Sequence, residues 1–157
     1  MIRCIAAIDE NRGLATDDGI PWDLPTDKQY FRDQTREGII LMGMGTYREF
    51  QEPMHGRTNY VATSRTEPLR DGFVAVHDVP AFLAQHADET IQNIGGAGLF
   101  VSTLDFADEL LLTQIQADFH CTKFFPEYTQ DFTLIQESDP ITENGVTFHF
   151  QTWRRVR

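Results

Sequence analysis

The run Ile39-Ile40-Leu41-Met42-Gly43-Met44-Gly45-Thr46 places four consecutive apolar residues directly before a turn with two glycines. Four such residues fit a strand covered on both faces, and the turn can pass into a short helical stretch to Phe50. Upstream, Gly38 closes a helix that Thr26-Asp27-Lys28-Gln29 opens as a capping box. Thr26 accepts from the first turn, Gln29 reaches back, and the helix is predicted to run to about Thr35. Before it, Asp9 to Pro25 carries Gly13, Gly19, Pro21 and Pro25 among acidic residues, too long for a simple connection. Ile2 to Ile8 is a nearly unbroken apolar run and a candidate central strand.

Downstream, strands are predicted at Thr58 to Thr63, Phe73 to Val76, Thr90 to Ile94 and Glu109 to Ile115, with helices near Val79 to His86 and Ala97 to Leu104. This alternation predicts an α/β fold with a mostly parallel central sheet and flanking helices. Phe132 to Glu137 and Val146 to Trp153 alternate apolar and polar residues, and Asn144-Gly145 precedes the second. A C-terminal antiparallel hairpin is therefore expected.

A chain of 157 residues suits one compact domain, residues 1–157. With 41% hydrophobic and 24% charged residues it has the balance of a folded protein, not a disordered one. No apolar run approaches bilayer length, and Met1 to Ile5 has no leader pattern, so a cytoplasmic protein without a membrane partner is expected. Cys4 and Cys121 form no Cys-x-x-Cys pair and read as inert thiols. The net charge of −11 argues against nucleic acid as a partner, and it would also oppose an anionic ligand unless local basic residues reversed the field. His55, His77, His86, His120 and His149 show no metal-binding spacing, so no metal is expected. There is no Gly-x-Ser-x-Gly elbow for a serine hydrolase. Monomer is the default expectation.

Within Gly19-Ile20-Pro21-Trp22-Asp23-Leu24-Pro25-Thr26-Asp27, the closing acid is the odd residue. At helical spacing Asp27 shares a face with Tyr30, Phe31 and Gln34, so a carboxylate points the same way as two aromatic rings. On spacing alone the commoner role, a carboxylate stabilising a helix N-terminus, is favoured.

Six stretches taken in order resemble the dihydrofolate reductase family. Ile5-Ala6-Ala7 looks like its opening strand, and Pro21-Trp22-Asp23-Leu24-Pro25-Thr26-Asp27 like its Trp-loop-acid signature. Residues 41–47 (LMGMGTY) are similar to its Met-Gly-x-x-Thr turn, and 56–65 (GRTNYVATSR) to its Gly-Arg-x-Asn strand. Residues 94–100 (IGGAGLF) resemble its double-glycine turn, and LLLTQI with FFPEY its penultimate block. Six in order, at family-like spacing, make the resemblance specific over nearly the whole chain.

The resemblance implies an NADPH-dependent reduction of dihydrofolate to tetrahydrofolate, a step of one-carbon metabolism, in a cleft open to antifolates. Hydride reaches pterin carbon 6 only if nitrogen 5 is protonated and the ring is held against the nicotinamide. By resemblance Asp27 is the acid, binding the 2-amino and ring nitrogen groups while water carries the proton. Thr113 would fix the pterin and Asp27, and Trp22 would orient that water. Ile5, Ala6 and Ile94 would contact the pterin, and Phe31, Phe50 and Met54 the aminobenzoyl ring. Arg57 would clamp the glutamate carboxylate through two parallel hydrogen bonds. For the cofactor, the resemblance implies Ala7 and Leu14, the turn of Gly43, Gly45 and Thr46, and the turn of Gly95, Gly96, Ala97, Gly98, Leu99 and Phe100. Thr63, Ser64 and Arg65 would form the 2′-phosphate site that favours NADPH over NADH. Val101 denies the second turn a Rossmann fingerprint. Among Ile5, Phe31 and Trp22 the Asp27 carboxyl should be raised by desolvation, so activity should fall as pH rises.

Several positions depart from the family pattern. Met44 and Gly45 stand where many members have basic or polar residues, Lys28 where many have an apolar one, and Phe100 where Tyr is frequent. Glu52 lies near the expected tail site, and Cys121-Thr122 replaces a Gly-Asp pair that bonds the mobile loop in some members, so closure of residues 11–24 is expected to differ. Two other readings remain: a pterin or pyrimidine reductase on the same scaffold, and a catalytically silent ligand-binding homologue. Trp22 and Asp27 count against the first, the Asp27 and Thr113 pair against the second.

Overall fold

The computed structural model describes residues 1–156. The apolar runs at either side of the first helix become β1 (Ile2–Ile8) and β3 (Ile39–Gly43), with β2 (Gly13–Ala15) and α1 (Pro25–Gln34) between them. Then follow α2 (Met44–Glu49), β4 (Asn59–Ala62), β5 (Phe73–Val76), α3 (Val79–Gln85), β6 (Ile91–Asn93) and α4 (Ala97–Thr103) with a 3-10 turn at Leu104–Phe106. The last part is all strand: β7 (Glu109–Ile115), β8 (Lys123–Phe124), β9 (Phe132–Glu137), β10 (Ile141–Glu143) and β11 (Val146–Arg155).

One sheet runs β10-β11-β7-β1-β6-β3-β4-β5, with β9 also on β11. From β7 to β5 every neighbour is parallel, and β11 joins antiparallel to β7. β1, β3 and β7 sit inside the sheet, which is why their sequences are almost continuously apolar. On one face Ile5, Ile40, Met42, Val61, Ile94 and Leu111 pack with Tyr30 and Phe31 of α1. On the other, Leu41, Ile91 and Val76 pack with Phe82, Leu83 and Leu99 of α3 and α4.

Two local expectations are corrected. Thr26 does not cap α1: Leu24 occupies the cap position without a side-chain bond, and Pro25 opens the helix, where its fixed φ fits and its missing N–H is no loss. The helix stops at Gln34, before Gly38, as the Thr35 hydroxyl donates back to Phe31 O at 2.7 Å. The C-terminal hairpin also differs in its partner. Asn144 and Gly145, at φ +51° and +76°, join β10 to β11, while β9 pairs with residues 151–155 at the far end of β11. β11 is long enough to hold two partners along one edge. A separate two-stranded ladder of β2 and β8, absent from the sequence reading, pins the long loop to the chain after β7.

Candidate active site

The site is built where α1 crosses the carboxyl half of β1 and β7. Asp27, Tyr30, Phe31 and Gln34 are the partly buried residues of an otherwise exposed helix, the face predicted from spacing. Thr113 lies opposite Ala7 on one side and Phe150 on the other, and its hydroxyl donates to Asp27 Oδ1 at 2.5 Å. Burial pushes the Asp27 carboxyl above its ordinary range; the Thr113 bond pulls it down less, and the Glu143 charge adds to the rise. Ile5, Ile94, Phe31, Phe50 and Met54 belong to one apolar cluster beside it. Trp22 packs with Ala7 and Leu24, its ring edge-on to Phe119 at 5.2 Å. Ala6 is partly buried against the opposite core, so its side chain and that of Ile5 take different faces.

The residues expected at the cofactor collect at the carboxyl ends of neighbouring parallel strands, the edge where open α/β sheets bind ligands. Gly43 ends β3 and its N–H donates to Gly95 O, just past β6, at 2.7 Å, so the two glycine turns touch. A Cβ on Gly95, at φ +87°, would meet the Phe100 ring at 2.4 Å. Gly96 faces Thr46, and above Gly45 and Gly98 there is open space. Ala97 is partly buried at the start of α4, whereas Leu99 and Phe100 turn inward, Phe100 onto Phe125 at 4.9 Å. Thr63 follows β4, its hydroxyl accepting from Arg65 N–H at 3.0 Å, and Ser64 and Arg65 are exposed beside it. Leu14 packs from β2 against the core around Ile8 and Phe100.

Arg57 donates from Nε to Thr35 O, from Nη1 to His55 O and from Nη2 to Arg32 O, at 2.7 to 3.0 Å. Three carbonyls fix the plane of the guanidinium and leave one N–H on each terminal nitrogen for an incoming carboxylate. Lys28 turns away from the cleft to Asp23 Oδ1 at 2.8 Å, and Glu52 is exposed. Among the described residues no group of His, Cys, Asp and Glu is disposed to hold a metal ion, and no helix is long and apolar enough to cross a membrane.

Sequence reasoning missed three supporting residues. Asp9 is buried and accepts from Gly13, Asn11 and Phe119 N–H groups at 2.7, 2.9 and 3.1 Å. Burial raises its carboxyl, but those N–H groups outweigh it and hold it below the ordinary range. The Asp9-x-Asn11-x-Gly13 spacing is a turn signal that could have revealed it. Glu143 and Asn144, which hold the loop just before Asp27, lie too far along the chain for any local pattern.

A family model described as dihydrofolate reductase matches residues 1–155. A dihydrofolate reductase of Bacillus subtilis is 32% identical over 145 residues, covering 92% of this chain and 86% of its own. The type 3 dihydrofolate reductase of Salmonella typhimurium is 33% identical over 129 residues, covering 82% and 80%. The solved dihydrofolate reductase from Enterococcus faecalis, complexed with NADP(H) and RAB-propyl, superposes with a TM-score of 0.89 at 25% identity, over 100% of this chain and 97% of that one. With an acid held by Thr113 beside Ala7 and two glycine turns on the adjoining strands, sequence, fold and site agree that the chain belongs to the dihydrofolate reductase family.

Proposed function

We propose that Asp27 is the acid of a cleft in which 7,8-dihydrofolate is reduced to 5,6,7,8-tetrahydrofolate with NADPH. The pairing of Asp27 with Thr113 at an apolar wall carries this reading. A carboxyl raised by burial favours the protonated substrate, and its second oxygen can bind the pterin's amino and ring nitrogen groups. Bound NADPH supplies the hydride to carbon 6, and a water-borne proton completes nitrogen 5. The open space above Gly45 and Gly98 and the contact between the two glycine turns fit a dinucleotide laid across β3 and β6. Ser64 and Arg65 take its 2′-phosphate, Trp22 orients the water, and Arg57 takes the glutamate tail. Phe31, Phe50 and Met54 line the path between pterin and tail, and antifolates compete for it. The chain works as one domain, as a monomer, in the cytoplasm.

The test is nicotinamide oxidation by the purified protein with dihydrofolate and either NADPH or NADH, across pH. Antifolate-sensitive oxidation of NADPH that slows as pH rises supports the assignment. Turnover of a pyrimidine or another pterin, and not of dihydrofolate, overturns it.

A further inference from the structure

The first turn of α1 lacks a cap of its own, yet it carries the residue on which the proposed chemistry depends. Leu24 offers no side-chain acceptor and Pro25 has no N–H, so the first donor of the helix is Thr26. Its N–H and its hydroxyl both go to one carboxylate, Glu143, at 3.0 Å from Oε1 and 2.5 Å from Oε2. Glu143 lies 117 residues along the chain from Thr26, as the last residue of β10 before the turn into β11. The next residue, Asn144, opens that turn and donates from Nδ2 to Asp23 O at 2.7 Å. The end of β10 and its turn thus grip both sides of the junction where loop becomes helix, at Asp23 and at Thr26, the residue directly before Asp27. The strand leaving this turn is β11, and its Phe150 lies opposite Thr113, the other support of the Asp27 carboxyl.

We propose that Glu143 is a positioning residue for Asp27, acting as the cap of α1 supplied from the β10–β11 hairpin and setting the charge under which the acid works. This rests on the reading of Asp27 given above. The cap fixes where the helix begins, and so where Asp27 stands relative to Thr113. The charge acts as well: a fixed carboxylate near a second one makes ionisation of the second less favourable, so Asp27 keeps its proton to higher pH. The other groups around Asp27 are few. Thr113 reaches it from β7, and Tyr30 lies on its own helix; the Tyr30 hydroxyl is raised by burial, with Arg3 acting against this and Asp27 and Glu109 with it. Trp22 and Phe150 bring no charge.

Two variants separate position from charge. Glu143→Gln keeps an acceptor for Thr26 and loses the charge; Glu143→Ala loses both. In Glu143→Gln, turnover at low pH is expected to stay near that of the parent. The midpoint at which kcat/KM falls should move to lower pH by about 0.2–0.7 unit, the size of a partly screened charge pair, and the shift should shrink in high salt. Glu143→Ala should show the same shift together with a lower kcat even at low pH. A second readout is independent of turnover: the 13C carboxyl titration of Asp27 in protein labelled at aspartate, assigned with Asp27→Asn. Its midpoint should move down in both variants. An Asp27 titration and pH profile unchanged in both, even alongside a lower melting temperature, would overturn the proposal and leave Glu143 a purely structural cap. A shifted Asp27 titration in a protein that reduces no dihydrofolate would uphold the positioning and sink the reaction assignment instead.

Discussion

Asp27 makes opposite contributions to activity and to stability. Asp27→Asn removes the acid and should lower turnover at neutral pH by ~10²–10⁴. The same change should stabilise the fold. Burial raises the native carboxyl above its unfolded value, so whatever this group adds to stability is present at low pH and lost as pH rises through the native value. Asn, which cannot ionise, escapes that loss; its melting temperature should exceed the parent's at pH 7, by roughly 2–4 °C for each kcal/mol recovered, and match it in acid. Parallel scans at the two pH values check this, and a lower value at pH 7 would mean that the Thr113 bond outweighs burial. Arg65 stands exposed beside Ser64, so Arg65→Ala should weaken NADPH far more than NADH, read as separate dissociation constants. Equal losses would move the 2′-phosphate elsewhere. At this scale the place of Asp27 on the aromatic face was legible from helical spacing, while the role proposed for it comes from the family pattern. Asp9 went unread although its spacing to Asn11 and Gly13 is a turn signal, and Glu143 carries no local signal, since a carboxylate that serves a distant backbone N–H looks in sequence like any surface acid.

At the scale of elements, every strand of four or more residues could be read, because alternation or an unbroken apolar run needs about that length to show. β2, β8 and β10 are shorter and exist by pairing alone. They matter most to the loop between β1 and α1. Gly13 lies so close to Cys121 that a Cβ there would sit 2.5 Å from the cysteine's own. Thr122 then takes two positions of the loop, its N–H donating to Ala15 O at 2.9 Å and its hydroxyl to Asp17 Oδ1 at 2.8 Å. The Cys121-Thr122 departure therefore leaves the loop tied, with the acid on the loop and the hydroxyl opposite it. Thr122→Val keeps the backbone bond and loses the other, worth ~0.5–1.5 kcal/mol where shielded and less at this exposed site. Loop opening should become about two- to fivefold more favourable. Stopped-flow Trp22 fluorescence during cofactor release would report it, and an unchanged rate would leave the β2–β8 backbone ladder as the whole restraint.

At the scale of the molecule, the charge of −11 is unevenly spread. Between residues 32 and 70 there are six arginines and five carboxylates, so the stretch proposed to receive the glutamate tail and the 2′-phosphate is nearly neutral within an acidic protein. Most of the ion pairs among the described residues have at least one exposed partner and contribute little. Self-repulsion should therefore dominate, and the melting temperature should rise with sodium chloride as the screening length falls from about 30 Å at 0.01 M to about 10 Å at 0.1 M. A fall in calorimetric scans would mean that the ion pairs carry more than their exposure suggests. The uneven charge is countable along the sequence, but that this stretch borders the candidate site is visible only in the fold. The tight turn at Asn144-Gly145 also sets a limit on the lifetime of the whole molecule. In an Asn–Gly pair the glycine nitrogen can attack the side-chain amide carbon and expel ammonia to form a cyclic imide, which water then opens to aspartate or isoaspartate. Here that lost amide is the donor to Asp23 O, and the new carboxylate would stand beside Glu143. Chemical ageing at one peptide unit would thus loosen the grip on the start of α1 in every old copy of the enzyme, while the sheet that carries it stayed intact.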